Sequence, residues 1–199
     1  MSRTNSPGAA APALTASVDA DLKALLRKVK LGRLLDTLPE RLTLARAESL
    51  PHADFLTLVL SDEVDRRERQ SAELRARAAK LDPSMRLENF STDSTARFDR
   101  ELWHELCSLR LLQEHRGALV LGPVGVGKTH LATALGHIAI RRRHSVVFSR
   151  ADQLFRRLKA ARLDNSHEAE MRKLARVDLL ILDLCRGRFY AEAAAAVST

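Results

Sequence analysis

The sequence predicts an α/β chain: a partial parallel sheet with flanking helices, preceded by a small all-helical domain. Two observations carry this. Apolar residues recur at three- and four-residue spacings over the first part of the chain, which is helical periodicity. After about residue 115, short apolar runs alternate with helix-like runs, the pattern of a doubly wound sheet.

The elements follow in order. MSRTNSPGAAAPALTAS, residues 1–17, is an Ala/Pro/Ser-rich stretch that reads as a disordered lead-in without the apolar core of a secretory signal. From Val18 to Leu38, Leu22, Leu25, Leu26 and Val29 mark one or two short helices, punctuated by Gly32 and Pro39. A further helix spans about Arg41 to Ser49. Pro51 opens a long helix to about Lys80, with Phe55, Leu56, Val59 and Leu60 as its expected buried stripe. The helical domain is thus 18–80. Turn formers without periodicity make 81–98 a linker. A helix from about Asp99 to Gln113 opens the α/β part, 99–184, with strands expected at GALVLG, SVVFSR and VDLLILD. The tail 185–199, CRGRFYAEAAAAVST, shows neither sheet nor amphipathic pattern, and is expected to be aberrant or disordered.

Composition narrows the function classes. The 199 residues are 45% hydrophobic and 29% charged, as in a globular protein, and only 4% aromatic, too few for a base-stacking channel. No apolar run is long enough to cross a bilayer, so a cytoplasmic location is expected. Cys107 and Cys185 form no CxxC pair, and the seven histidines show no metal spacing. Cys107, among Leu106 and Leu109, reads as core, and Trp103 as the cover of an apolar helix face.

The net charge of +8 favours a polyanionic partner. Nearly all the excess lies between Arg141 and Arg176, where eleven Lys/Arg face four Asp/Glu. Arg141, Arg142, Arg143, Arg156, Arg157, Lys159 and Arg162 are therefore candidate DNA contacts. No zinc-finger or helix-turn-helix pattern accompanies them, so any such binding is expected to tolerate all sequences. Asp62 to Lys80, with six basic and five acidic residues, reads instead as a solvent face laced with salt bridges.

The chemistry centres on Gly122-Pro123-Val124-Gly125-Val126-Gly127-Lys128-Thr129, a complete GxxxxGK[ST] loop after an apolar run and before a helix. Its glycines let backbone amides curl toward phosphate oxygens, and the helix start adds its positive dipole end. Lys128 is suited to the β- and γ-phosphates and the Thr129 hydroxyl to Mg²⁺. His130 follows as helix packing or phosphate-side polarity. Asp183, 55 residues after Lys128, ends an apolar run where a strand would face a nucleotide, and is the second candidate metal residue. The next position, Leu184, can neither orient nor deprotonate water, and loss of a general base typically costs about 10²- to 10⁴-fold in rate. No catalytic residue is assigned.

With LLRKVKLGRLLDTL, LENF, GPVGVGKTHLATALG, VVFSRADQL and VDLLILD in place, the chain resembles the IstB-like ATP-binding proteins of insertion sequences, relatives of the DnaC helicase loader among the AAA+ ATPases. The similarity runs from about Leu22 to Asp183. It implies an AAA+ P-loop core binding ATP and Mg²⁺, assembly as a homo-oligomer on duplex DNA without sequence preference, and help to a transposase partner. The pattern of such proteins continues after the Asp with a second acid, a sensor strand and an arginine finger. Here Leu184 and the tail follow, so a truncated copy with impaired hydrolysis is expected. A non-catalytic adaptor acting through its N-terminal helices, or a helicase loader, are the alternative readings. In the AAA+ order the loop strand lies between the fourth and fifth strands, so GALVLG is expected to lack its neighbours and the domain to be marginal or re-paired.

Overall fold

A computed structural model describes residues 18–90 and 99–184. The expectations for the lead-in 1–17, for 91–98 of the linker and for the tail 185–199 lie outside the described residues. The chain divides into two compact units, residues 1–68 and 69–199.

The first unit is helical throughout. Asp19 caps α1 (Ala20–Lys28) by accepting a hydrogen bond from the Ala20 amide, and Arg27 and Lys28 in its last turn complement the helix dipole. A 3₁₀ turn, Gly32–Asp36, leads to α2 (Leu38–Ala47), which carries Pro39 in its first turn. The long helix α3 (His52–Ala78) follows. Val18, Leu34, Leu38 and Val59 form a small core, with Leu26, Leu31, Leu35, Leu42 and Phe55 packed around it.

Of the stripe expected on α3, Phe55 and Val59 face this core, whereas Leu56 and Leu60 are exposed. The buried face continues from Phe55 and Val59 to Glu63, at four-residue intervals, and Glu63 is only 4% exposed. Its carboxylate accepts from Arg66 Nε and Nη2, both at 2.8 Å, and from Arg67 Nε at 2.6 Å. Those bonds, that of Arg66 foremost, hold its pKa down at about 2. Arg67 also donates to the Lys30 carbonyl, and Arg41 holds Asp62 through two bonds of 2.6 and 3.0 Å. The run read as a solvent face thus contains a buried carboxylate that helps join the helices of this unit.

The second unit begins within α3, not at a linker after residue 80. Ala76, Ala79 and Leu81 are buried with Leu109, Leu135, Ile138, Ala139, Ile140, Val146, Leu179 and Ile181. These small residues let the end of α3 approach its neighbours closely, which moves the boundary back by about a dozen residues from the expected one. The first half of the expected linker is ordered. Asp82 accepts from the Ser84 amide and hydroxyl, which hold its carboxyl below the usual range, and a 3₁₀ turn covers Leu87–Asn89.

The helix expected over 99–113 is broken in two. Asp99 caps α4 (Arg100–Ser108) through the Glu101 and Leu102 amides. Leu109 then takes a left-handed conformation (φ 62°) before the short α5 (Arg110–Gln113). Left-handed backbone costs a residue such as Leu about 1–2 kcal/mol. Burial of the Leu109 side chain in the core offsets a comparable amount. Burial also pushes the thiol of Cys107, half-buried beside this core, upward.

The α/β elements are α6 (Lys128–Arg141), β1 (Val146–Arg150), α7 (Ala151–Leu163), α8 (His167–Ala175) and β2 (Leu179–Asp183). β1 and β2 pair in parallel, Val146 opposite Leu179 and Arg150 opposite Asp183. Asp178 accepts from the Ser145 amide and hydroxyl at 2.7 Å and so pins the start of both strands. Ser145 and Val146 could then pair no other way without undoing that clamp. α6 covers one face of the pair. A β-carbon added at Gly136 would come within 2.9 Å of Ile181 Cδ1 and 3.0 Å of Leu81 Cδ2, so glycine there is what allows the contact.

GALVLG is not a strand. Residues 117–122 are irregular, and Leu119 and Leu121 are 66% and 70% exposed. Among the described residues no strand lies beside this segment, so its amides gain nothing from an extended, paired conformation.

Candidate nucleotide site

The GxxxxGK[ST] loop enters α6 through three glycines with positive φ: Gly122 at 156°, Gly125 at 85° and Gly127 at 89°. Gly125 and Gly127 lie where a β-carbon is strained, which is the physical reason for glycine at both. Gly127 is also the residue preceding α6, and a β-carbon on it would stand 2.8 Å from Phe90 Cε2.

Lys128 folds back across its own loop. Its ammonium donates to the carbonyls of Gly122 at 2.8 Å and Pro123 at 2.5 Å. An ammonium has three donors, so one remains for an anion once the other two brace the loop. The first amides of α6 have no intrahelical acceptor and carry the positive end of the helix dipole.

Thr129 and Asp183, distant in sequence, meet here. The Thr129 hydroxyl lies 3.2 and 3.3 Å from the two Asp183 carboxylate oxygens. The juxtaposition follows from α6 packing on β2, since Asp183 ends the strand whose Ile181 lies under Gly136. A hydroxyl beside one carboxylate suits Mg²⁺, which is held by one or two protein oxygens and otherwise by phosphate and water. No group of three or more His, Cys, Asp or Glu side chains that would hold a metal by itself occurs among the described residues.

His130 points away from the loop. Its Nε2 pairs with the Arg86 carbonyl at 2.8 Å, and its ring meets Phe90 edge-on, centroids 5.2 Å apart. Two turns on, the buried His137 pairs with the Asp82 carbonyl at 2.9 Å. Each bond requires Nε2 to carry the proton, since a carbonyl only accepts. Together the two histidines fasten residues 82–90 along α6. Sequence reasoning singled out LENF without a role for Phe90 or Arg86; the signal was the seven-residue spacing of the histidines, which places both on one helix face.

The basic candidates divide by partner. Arg141 pairs with Glu88, Arg156 with Asp152 and Arg157 with Glu170. Arg142 donates to the Ser108 carbonyl, and Arg143 closes α6 in a left-handed conformation (φ 66°). Lys159 and Arg162, both exposed on α7, take no ion pair among the described residues.

Fold and loop together define a P-loop nucleotide-binding core of the α/β class. The chain belongs to the family of IstB-like ATP binding proteins, whose sequence pattern matches residues 24–196. That match continues beyond Asp183, where the resemblance read from the sequence stopped. Similar proteins include an ATP-binding protein by name, in an insertion sequence of Mycobacterium tuberculosis, 34% identical over 165 residues, 83% of this chain and 66% of that protein. Another, from insertion sequence IS21 of Pseudomonas aeruginosa, is 33% identical over 163 residues, 82% of this chain and 62% of its own length. A third, from Pseudomonas fluorescens, is 35% identical over 159 residues, 79% of this chain and 69% of its own. The chain therefore spans a little under two thirds of the first two relatives. No helix among the described residues is long and apolar enough to cross a membrane.

Proposed function

We propose that this chain binds Mg²⁺-ATP at residues 122–129 and acts as the ATP-binding helper of transposition for an insertion sequence. The braced loop is the observation that carries the reading. Lys128, bonded to the Gly122 and Pro123 carbonyls, holds the loop curled with its ammonium at the mouth of α6, and such bracing limits the ordering cost of taking up a triphosphate. Thr129 and Asp183 would hold the Mg²⁺, directly or through water. The ion supplies neutralisation of the β- and γ-phosphate charge when bound.

Hydrolysis is expected to be weak, because Leu184 follows Asp183 where a second acid would orient water. Polyanion contact is assigned to Lys159 and Arg162 first, since the paired arginines have already met carboxylates. The partners proposed are duplex DNA of any sequence, a transposase and further copies of the chain. The test is a DNA-binding titration of the full chain on two unrelated duplexes, with and without Mg²⁺-ATP. Equal affinity for both duplexes, raised by ATP, is expected. Binding to one duplex alone, or indifference to ATP, would overturn the proposal.

A further inference from the structure

Residues 82–90 lie fastened along α6, and the LENF motif at 87–90 ends against the phosphate loop. The segment is braced within itself. Asp82 accepts from the Ser84 amide and hydroxyl, and the Asn89 side chain donates to the Ser84 carbonyl at 2.8 Å. Its far end is anchored by Leu81 against Gly136 and by His137 on the Asp82 carbonyl. Its near end meets the loop. Phe90 Cε2, Cζ and Cδ2 lie 2.8, 3.4 and 3.9 Å from where a β-carbon on Gly127 would stand. His130, in the first turn of α6, holds that ring edge-on and bonds the Arg86 carbonyl.

We infer that Phe90 is a positioning residue for the nucleotide: its ring holds Gly127 in the left-handed conformation that aims the first amides of α6 at the phosphates. This rests on the nucleotide reading and adds to it a control by residues 86–90. Glycine enters left- and right-handed backbone about equally readily, so Gly127, at φ 89°, has nothing of its own to keep it there. It also immediately precedes α6, so rotation at Gly127 swings the Lys128 and Thr129 amides relative to the rest of the loop. The Phe90 ring fills the side on which a β-carbon would stand, and that limits the swing.

The other two glycines with positive φ set this contact apart. Gly125 has nothing within 4 Å of its β-carbon position, and Gly122 meets only Val126 and Lys128 of the loop itself. Among the three, Gly127 alone is met from outside the loop. Lys128 thus braces the loop from within, while Phe90 braces the point where loop becomes helix. Such coupling is reciprocal. If docking of 86–90 raises nucleotide affinity, bound nucleotide strengthens the docking by the same factor.

Calorimetric titration of Mg²⁺-ATP into the full 199-residue chain and into Phe90→Ala tests this, each well below its melting temperature. The variant should bind at least about fivefold more weakly, the lower end of usual coupling between sites. Equal affinity in the two would overturn the inference and leave the nucleotide reading standing. No binding by the parent chain would overturn both. Hydrogen exchange supplies a readout that a purely structural role would not move. The Asn89 and Phe90 amides, bonded to the Arg86 and Leu87 carbonyls, should exchange at least about fivefold slower in the parent chain under saturating Mg²⁺-ATP. Phe90→Ala should lose that slowing at Asn89. Exchange unchanged by nucleotide at both amides of the parent chain would overturn the inference, even where Phe90→Ala fails to fold.

Discussion

Gly136 tests whether the packing of α6 on β2 builds the site. Replacement by alanine brings two opposed effects. Alanine is favoured over glycine within a helix by about 1 kcal/mol. Its β-carbon, however, would stand 2.9 Å from Ile181 Cδ1 and 3.0 and 3.1 Å from the two Leu81 methyls. These are buried side chains with no room to retreat freely, and overpacking of this kind costs about 1–3 kcal/mol. The net expectation for Gly136→Ala is a loss of about 1 kcal/mol. The sharper quantity is the coupling with Ile181→Val, which deletes the methyl at 2.9 Å. Alone, that change should cost about 0.5–1.5 kcal/mol. Combined with Gly136→Ala, it should cost close to nothing more, a favourable coupling of about 1 kcal/mol. Urea denaturation of the four proteins in the cycle measures this. Additive losses, or a Gly136→Ala chain stabilised by the full helix-propensity gain, would mean that α6 does not lie on β2 as described.

Further expectations follow from the two units and the basic helix. Gly127→Ala should destabilise the chain by about 1–2 kcal/mol, from its left-handed backbone and the contact with Phe90, and Phe90→Ala in the same chain should restore only part of this in thermal denaturation. Glu63 has a folded pKa of about 2, below its unfolded value, so the unfolded chain binds the proton first. Its contribution is complete above the unfolded value of about 4.3 and disappears as pH falls through the folded one, so an acid titration of stability should lose that increment in this window. Glu63→Gln should cost about 2 kcal/mol at neutral pH and remove the increment. For DNA, Lys159→Glu with Arg162→Glu should weaken binding and lower the magnitude of the log–log salt slope by about 2, whereas Arg156→Ala should change it little.

How much was legible in the sequence depended on the range of the interactions involved. The phosphate loop was readable because its glycines answer to local backbone geometry, and Gly125 and Gly127 do adopt positive φ. Asp99 was read as the start of a helix but not as its cap, and Asp19 was not singled out, although a carboxylate just before a helix is a local capping signal. β1 and β2 were readable as apolar runs, but GALVLG is equally apolar and forms no strand. What separates them is the neighbour each run finds, which no window of sequence contains. Glu63 was hidden for a similar reason: in a run of mixed charge, burial is decided by where Phe55 and Val59 turn the helix. Arg86 and Asp82 were invisible as site residues because α6 uses their carbonyls rather than their side chains.

The account rests on the loop being a working cradle, and a titration of Mg²⁺-ATP against the full chain and Lys128→Ala tests that most directly. Fluorescent-nucleotide binding and thermal denaturation are followed together. Saturable binding is predicted for the parent chain, with a stabilisation of about 2.7 kcal/mol at a hundredfold excess over Kd, and both should be lost in the variant. No binding by the parent chain, or equal binding by Lys128→Ala, would contradict the account.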